Sequence, residues 1–483
     1  MKRSYHLLAV LLAFGAAGAW ATVRGVPSVY PTIQEGINAS VNGDTVLVAP
    51  GTYTENIIFR GKRIVVTSWF AFGGDPGYIL NTTINGGSPA FADSGSCVRI
   101  VNGEDSTAVL QGFTLTGGHG TWWNDEHGPG NHYWEGGGVL IALCSPTVRF
   151  NVIRNNNVNM TGGVSTGGGG IRLGDGSPHI FNNIIMNNAG MYGGGITSNF
   201  ASPVIRNNVI AYNVVSQAIP GLQTYGGGGL WFNGNVAGNR IENNTIVGNS
   251  STGSGGSGAG GRGGGMLAVF GATINTKNNI VWGNTQTTGG EVGTASGAAL
   301  VSYSDVEGGF TGTGNINQSP LFADTSFLLL SASPCIDTGD TNVAFQDPED
   351  PHTPGSAVWP AQGGLRNDTG AYGGPLSSII AAILTPVENP PRGQFPWQMT
   401  LSQNYPNPFN PATTIRYVVP SRAHISLKVY NLLGQEVANL VDRLESEGEH
   451  FVGWNAEGHA SGVYLYKLAV DRYTETRKLI LSK

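Results

Sequence analysis

A six-residue pattern, Asn followed by two β-branched residues, two variable residues and a second Asn, recurs five times in the middle of the chain. A run of glycines ends 13 to 15 residues before each copy. Only the segment from the second Asn to the next glycine run varies much in length, which indicates a repeated coil that accepts insertions at one corner. The copies are NVIRNN at 151, NIIMNN at 183, NVIAYN at 208, NTIVGN at 244 and NIVWGN at 279.

The aligned copies place mostly apolar, β-branched residues at the same positions of every coil. Such columns predict an all-β solenoid of short parallel strands, because each coil can bury its apolar side only against its neighbours. The Asn columns predict ladders of stacked amides at two corners, and the glycine runs permit positive φ where coils crowd together. The apolar columns are Ile153, Ile185, Ile210, Ile246 and Val281, and Val148, Ile180, Ile205, Ile241 and Thr276.

Composition excludes several other classes of protein. The 75 glycines among 483 residues lack a three-residue period, so the chain is not collagen-like. Charged residues make up only 12% of the chain, which argues against a disordered polyelectrolyte and against a nucleic-acid binder. The formal net charge of −6 implies no particular partner.

The segment that precedes the repeats, YPTIQEGINASVNGDTVLVAPGTYTENIIFRGKRIVVTS at 30–68, resembles the opening of secreted right-handed parallel β-helix proteins of the pectin-lyase-like superfamily. The resemblance implies an amphipathic helix over about residues 31–41 that caps the solenoid, with Ile33, Ile37 and Val41 on its apolar side. A cap of this kind would shield the open end of the first coil.

Two segments after the repeats resemble the closing segments of bacterial β-helices: SPCIDTGD at 333–340 and NDTGAYGG at 367–374. Residues 23–375 are therefore predicted to form one right-handed parallel β-helix domain. Proline-rich residues 376–398 follow and are predicted to be a linker.

The N-terminal 21 residues have the pattern of a signal peptide. Lys2 and Arg3 precede an apolar run, and Ala19-Trp20-Ala21 supplies small residues at the cleavage positions. No other apolar run reaches the length needed to span a bilayer. We therefore expect an exported chain that is secreted or attached to the cell surface, without a transmembrane segment in its mature form.

Residues 399–483 alternate strand-like segments with turns, which predicts a small immunoglobulin-like antiparallel β-sandwich. The motifs QNYPNPFNPATTIRY, VYNLLGQEV, WNAEG, SGVYLYKL and KLILSK resemble the type A C-terminal sorting domain of type IX secretion. The resemblance implies that the type IX secretion machinery is a partner, and that the domain is then removed or anchored at the surface. The alternative is a binding module without a sorting role.

Catalytic signatures are weak. A calcium-assisted lyase or a glycosidase needs carboxylates that converge on one site. Between residues 136 and 284 the only acids are Asp175 and Glu242, which occupy different places in the repeat. Whether the protein is an enzyme is therefore left open, and the sequence favours a protein without catalytic activity.

Basic residues stand two positions before three of the repeat anchors: Arg149, Arg206 and Lys277. Such a row would bind an anionic polysaccharide through charge-assisted hydrogen bonds. The alternative is that these outward positions are charged only to keep the surface soluble.

The stretch TWWNDEHGPGNHYWEGGG at 121–138 lies where later copies carry insertions. Its Trp122, Trp123, Tyr133 and Trp134 fill no column of the core, and exposed aromatic rings stack on sugars. Two alternatives remain: the rings cover the flank of the solenoid, or neighbouring side chains bind a metal. Those side chains are Asp125, Glu126, His127 and His132.

The acidic run DTGDTNVAFQDPEDPH is the best remaining calcium candidate, through Asp337, Asp340, Asp347 and Asp350. It lacks the spacing of a known calcium loop, so turn capping is the favoured alternative. The cysteines Cys97, Cys144 and Cys335 are far apart and are interpreted as buried small hydrophobic residues, with one disulfide as the alternative.

The sequence as a whole favours an exported β-helix protein that binds glycan or serves a structural or adhesive role at the surface. The alternative is a secreted polysaccharide lyase or hydrolase of the pectin-lyase-like superfamily. An enzyme of that kind would need a site built from the irregular early coils and the inserted loops.

Overall fold

A computed structural model describes the chain as two compact units, Met1–Asn389 and Pro390–Lys483. The division falls inside the predicted linker, most of which lies outside the described residues, as does the predicted signal peptide. The described residues are 22–72, 74–160, 165–216, 225–252, 260–378, 400–401, 403–404, 407–419, 423–445, 448–470 and 473–482.

The first unit is a parallel β-helix, as predicted. One regular coil passes through three sheets in turn, with strands Val139–Ala142, Thr147–Arg149 and Val152–Arg154, and each strand pairs in parallel with its equivalent in the next coil. The strands are short because the chain turns at each corner through a residue with positive φ, which in this coil is Leu143 and then Phe150.

The strands of the described residues form three long parallel sheets. The first sheet holds Val23–Val26, Thr45–Val48, Val65–Ser68, Val109–Gln111, Thr147–Arg149, His179–Phe181, Val204–Arg206, Arg240–Glu242, Thr273–Lys277 and Ala298–Ser302. The second holds Gly51–Tyr53, Thr82–Asn85, Thr114–Thr116, Val152–Arg154, Ile184–Met186, Val209–Ala211, Thr245–Val247, Ile280–Trp282 and Asp305–Val306. The third holds Ile57–Ile58, Val98–Ile100, Val139–Ala142, Ile171–Gly174, Ile196–Asn199, Leu230–Asn233, Met266–Val269 and Val292–Ala295.

Smaller elements fill the corners. The α-helices are Ile33–Ala39 and Gly77–Leu80, and the 3-10 helices are Trp69–Phe72, Val158–Met160 and Val343–Phe345. A short parallel sheet contains Ala189–Gly190, Val214–Val215, Ser250–Ser251 and Thr285–Gln286. A mixed sheet contains Ser94–Gly95, Gly120–Asn124, His132–Glu135 and Thr166–Gly167.

The core is built from the columns that the repeat predicts. Ile153, Ile185 and Ile210 stand in register in successive strands of the second sheet, and Ile180 and Ile205 do so in the first. All of these side chains are buried in one continuous cluster along the solenoid. The prediction of apolar columns is therefore confirmed.

Two Asn ladders run along the corners, also as predicted. In the first, the side-chain amide of Asn183 donates to Asn208 Oδ1 and that of Asn208 donates to Asn244 Oδ1, each at 3.0 Å. In the second, Asn188 Nδ2 donates to Asn213 Oδ1 at 2.9 Å. These Asn-to-Asn bonds all run from one coil to the next, so each ladder is a one-directional chain of buried side-chain hydrogen bonds.

The residue before each anchor of the first ladder has positive φ, which Asn tolerates better than most residues. In three coils this residue is an Asn that also binds the segment along the flank, residues 333–374, which we call the flank segment: Asn278 Oδ1 accepts from Asp340 N at 2.8 Å. Asn207 Nδ2 donates to the carbonyls of Ala371 and Gly373, and Asn243 Nδ2 donates to those of Asp368 and Gly370. The two predicted closing segments therefore lie beside successive coils.

The first α-helix caps the opening coils, and Ile33 and Ile37 are buried beneath it as expected. Thr32 accepts a hydrogen bond from Glu35 N, and Lys62 Nζ donates to the carbonyls of Ile37 and Ser40 near its end. The expectation for Val41 is wrong: the helix ends at Ala39, and Val41 is 57% exposed.

All three cysteines are free and buried, which confirms the interpretation of them as small hydrophobic residues. Among the described residues, no helix combines the length and the apolar character needed to cross a membrane.

The second unit is an antiparallel sandwich, as predicted. Buried residues from its two sheets, among them Tyr417 and Tyr466, form a single core. One sheet contains Thr400–Leu401, Ala412–Val419 and Gly448–Asn455. The other contains Glu436–Glu445, Ala423–Tyr430, Gly462–Val470 and Tyr473–Leu481.

Asn208→Ala is expected to lower the free energy of unfolding by about 3 kcal/mol, because it leaves buried partners of the ladder unsatisfied on both sides. Urea unfolding followed by circular dichroism measures the change. Asn235→Ala, at an exposed position of the next coil, is the control and should change stability little. Equal effects of the two substitutions would contradict a structural role for the ladder.

Candidate functional site

The predicted aromatic stretch forms a β-hairpin at an insertion corner. Gly120–Asn124 pairs antiparallel with His132–Glu135, which places Trp122 opposite Trp134 and Trp123 opposite Tyr133. Directly opposed residues share a face of a β-ribbon and successive residues alternate between faces. The four predicted aromatic residues are therefore divided between the two faces.

One face carries a cluster of three rings, which we call the aromatic face: Trp122, His132 and Trp134. The Trp122 ring stacks on His132 at a centroid distance of 5.4 Å and an interplanar angle of 13°, and it lies 5.4 Å from the Trp134 ring. Trp122 is 38% exposed. The cluster presents flat ring surface to solvent.

The other face of the hairpin turns toward polar groups of the solenoid. Trp123 Nε1 donates to Glu126 Oε1 at 2.9 Å. Burial, followed by the charges of Asp125 and Glu135, raises the pKa of Tyr133. The Trp123 side chain is therefore tied to the attachment of the hairpin through Glu126.

A buried cluster, which we call the Arg172 anchor, ties the hairpin to the third sheet. Arg172 is fully buried, and its Nη1 and Nη2 donate to the two oxygens of Glu126 at 2.7 and 2.5 Å. Its Nε lies 2.8 Å from Glu135 Oε2, and Tyr192 Oη donates to Glu135 Oε1 at 2.6 Å. One guanidinium thus binds both ends of the hairpin.

The anchor shifts the pKa values of its two acids in opposite directions. Burial opposes ionisation of Glu126, but the hydrogen bonds and the charge of Arg172 outweigh it and lower the pKa. At Glu135 burial dominates and raises the pKa, although the Arg172 charge opposes it. Burial, then the Glu135 carboxylate, raises the pKa of Tyr192 well above its usual range.

The sequence analysis missed this cluster because Glu126 and Glu135 lie just before the regular coils. One signal was present: Arg172 occupies the position that Leu140 and Thr197 hold in the neighbouring strands. A charged residue in such a row needs a buried partner, and only the folded-back hairpin supplies it.

The anchor does not provide the reachable carboxylate pair of a glycosidase. Both carboxylates are bound to Arg172, and the Glu135 side chain is only 4% exposed. Glu126 and Glu135 instead hold the hairpin against the third sheet.

The other polar residues of the hairpin lie apart from one another. His127 Nε2 lies 3.0 Å from Asp175 Oδ1, and its ring stacks on Phe200 at 3.7 Å. His132 stacks on Trp122, and Glu126 binds Arg172. Across the part of the chain that the structure describes, no three His, Cys, Asp or Glu side chains are grouped to hold a metal ion.

The predicted basic residues share one row of the first sheet, with Arg149, Phe181, Arg206, Glu242 and Lys277 in register. Each has a partner within the protein. Arg149 Nε donates to Gln111 Oε1 at 2.7 Å, Arg206 Nη2 lies 2.7 Å from Glu242 Oε2, and Lys277 Nζ donates to Asp340 Oδ2 at 2.6 Å. The charges of Arg206 and Lys277 are therefore compensated by carboxylates, whereas Arg149 is held by a neutral amide.

A cleft of about 340 Å³ lies at the end of this row, where Lys277 and Arg240 face Leu300 and Thr313. Arg240 forms a forked pair with Glu242 at 2.9 and 3.2 Å. The cleft combines hydroxyl, amide and paired charged groups, with one exposed leucine.

The predicted calcium residues act on the backbone around them. Asp337 accepts from Gly364 N, and Asp340 accepts from Asn342 N and Lys277 Nζ. Asp347 accepts from Asp368 N and Gly374 N, and Asp350 accepts from His352 N. Carboxylates that accept backbone N–H bonds in this way cap turns, which is the alternative to a calcium site.

Two acids of this flank segment have pKa values raised far above the usual range of an aspartate. Burial, then the neighbouring Asp368 carboxyl, raises the pKa of Asp347 to about 8. Burial raises the pKa of Asp368 to about 7. A third acid, Glu291 at the end of the second ladder, has its pKa raised by burial to about 8.

The second unit resembles a known family of domains. Residues 403–482 match the family model of a secretion system C-terminal sorting domain. The sorting domain indicates export by type IX secretion and attachment to the surface. No curated protein matches the chain.

Arg172→Met is expected to lower the free energy of unfolding by about 3 kcal/mol, because it leaves two buried carboxyl groups without their cation. Hydrogen exchange of the hairpin amides and urea unfolding measure local and global effects. Arg63→Met, which breaks an exposed ion pair with Asp105, is the control and should cost less than about 1 kcal/mol. Unchanged exchange in the hairpin of Arg172→Met would contradict the anchor.

The melting temperature is expected to fall as the pH rises from about 5 to about 9, because folded Asp347, Asp368 and Glu291 retain protons that the unfolded chain has released. The stability from these groups is greatest below their usual pKa and is lost as the pH passes their raised values. Asp347→Asn should flatten the profile, and Asp350→Asn should leave it unchanged. A melting temperature that rises over this range would overturn the assignment.

Proposed function

We propose that the protein is an exported surface β-helix that binds glycan through the aromatic face of its hairpin. The observation that carries the proposal is the ring cluster in which an exposed Trp122 packs against half-buried His132 and Trp134. Flat indole and imidazole surfaces suit the C–H faces of sugar rings, and a pair of them contacts successive residues of a chain.

The Arg172 anchor supports this proposal energetically. A binding loop that must become ordered loses affinity to the conformational entropy of ordering. Here the inner face of the hairpin is tied down by buried ion pairs, so the aromatic face is preorganised. Binding energy is then not spent on fixing the loop.

The surroundings of the aromatic face favour a neutral or weakly charged polysaccharide. Asn124, the remaining side chain of this face, is exposed and uncharged. The row that contains Arg149, Arg206 and Lys277 is the second candidate, for anionic chains, but the charges of Arg206 and Lys277 are already paired with carboxylates.

The alternative function, a polysaccharide lyase or hydrolase, requires carboxylates and a base that reach one substrate. Glu126 and Glu135 of the hairpin are both held by Arg172. We therefore favour binding over cleavage, with a structural or adhesive role at the surface and with calcium as no part of the site.

A panel of neutral and acidic polysaccharides, scored for binding by affinity electrophoresis and for cleavage by new reducing or unsaturated ends, tests the proposal. We expect binding without cleavage. The double variant Trp122→Ala/Trp134→Ala should lose at least about tenfold in affinity, or about 1.4 kcal/mol.

Trp359→Ala is the matched control, since Trp359 is an exposed tryptophan of the flank segment. It should leave glycan binding unchanged. Undiminished binding by a folded double variant would show that the aromatic face is not the binding site. New chain ends from any substrate of the panel would favour the enzyme.

A further inference from the structure

The sorting domain exposes two large apolar side chains at the tip of one hairpin. The tip joins strands Ala423–Tyr430 and Glu436–Glu445. Leu432 is 69% exposed and Leu433 is 84% exposed. Adjacent leucines at a turn are unusual, because turns of soluble domains are normally polar.

The turn is built to hold this conformation. Asn431 Oδ1 accepts hydrogen bonds from Leu433 N and Gln435 N, both at 3.0 Å. Asn431 Nδ2 donates to Gln435 Oε1 at 2.8 Å, and Gly434 has φ +78°. These contacts close the turn with backbone and polar groups alone, so the leucines are not needed to form it.

The core of the domain is also complete without them. Leu427 and Val429 of the preceding strand and Val441 of the following strand are buried, and neither tip leucine belongs to that cluster. Lys428 and Glu436 form an ion pair at 3.0 Å beside the turn. The tip is therefore a small apolar protrusion, and the charged side chains Lys428 and Glu436 beside it are paired with each other.

We propose that Leu432 and Leu433 form a docking knob that inserts into an apolar pocket of the secretion machinery. The inference rests on the sorting role of residues 403–482, which requires a protein partner to recognise this domain. A few buried apolar anchors carry most of the energy of such contacts. The compensated charges around the tip favour apolar over electrostatic recognition.

The test is export of the full chain in a bacterium with a type IX secretion system. Leu432→Ser/Leu433→Ser should reduce the amount at the surface and in the medium at least about tenfold, while Leu432→Met/Leu433→Met should retain export. Leu444→Ser, at another exposed leucine of the same domain, is the matched control and should be exported normally.

Melting curves of the purified full chain check folding, and the single variant Leu433→Ser replaces the double variant if the latter is unfolded. Normal export of a folded Ser variant would overturn the knob. A lowered melting temperature, or loss of a dimer seen by sedimentation, would assign the tip to contacts of the chain with itself and also overturn it. Deletion of residues 403–482 separates the two claims: export that survives the deletion refutes the sorting role itself.

Discussion

The structure of the solenoid depends on satisfying buried polar groups where its coils turn. Each corner of a narrow β-helix buries backbone amides that no strand partner can reach. The Asn ladders supply the missing bonds: Asn208 Nδ2 reaches the carbonyls of Ile180 and Arg206 as well as the next Asn. Stacking of the isoleucine columns then follows, because the ladders fix the register between coils.

This dependence explains what could be predicted from the sequence. The columns that contain Ile153 and Asn151 repeat at every coil, so the alignment of five copies fixes the parallel pairing and its register. Val41 was misplaced because the helix ends two residues earlier, at Ala39, where Lys62 binds the carbonyls of Ile37 and Ser40. Lys62 lies in a loop more than 20 residues further along the chain, and periodicity carries no information about such a contact.

The candidate site was predictable only in part, for a related reason. The aromatic content of the hairpin marked Trp122 and Trp134 as ligand candidates, but their separation from Trp123 and Tyr133 follows from pairing across the turn. The Arg172 anchor joins residues 46 positions apart. Such contacts depend on an inserted loop folding back, which differs from coil to coil and leaves no repeat in the sequence.

The ladders also give the solenoid a direction. The bonds between Asn side chains of successive coils all run one way: Asn208 Oδ1 accepts from Asn183 of the earlier coil, and Asn208 Nδ2 donates to Asn244 of the later one as well as back to Ile180 O. The carbonyl dipoles of these amides therefore add along the axis. At the early end of the first ladder Asn151 Oδ1 accepts from Phe113 N, and at the late end of the second ladder Asn284 Nδ2 donates to the Glu291 carboxyl. An acidic group thus lies at the positive pole, and the hydrogen bonds from Asn284 partly offset the rise in pKa that burial imposes on Glu291. The stack of coils is therefore electrically asymmetric from end to end, and its two ends are not interchangeable as surfaces for stacking further coils.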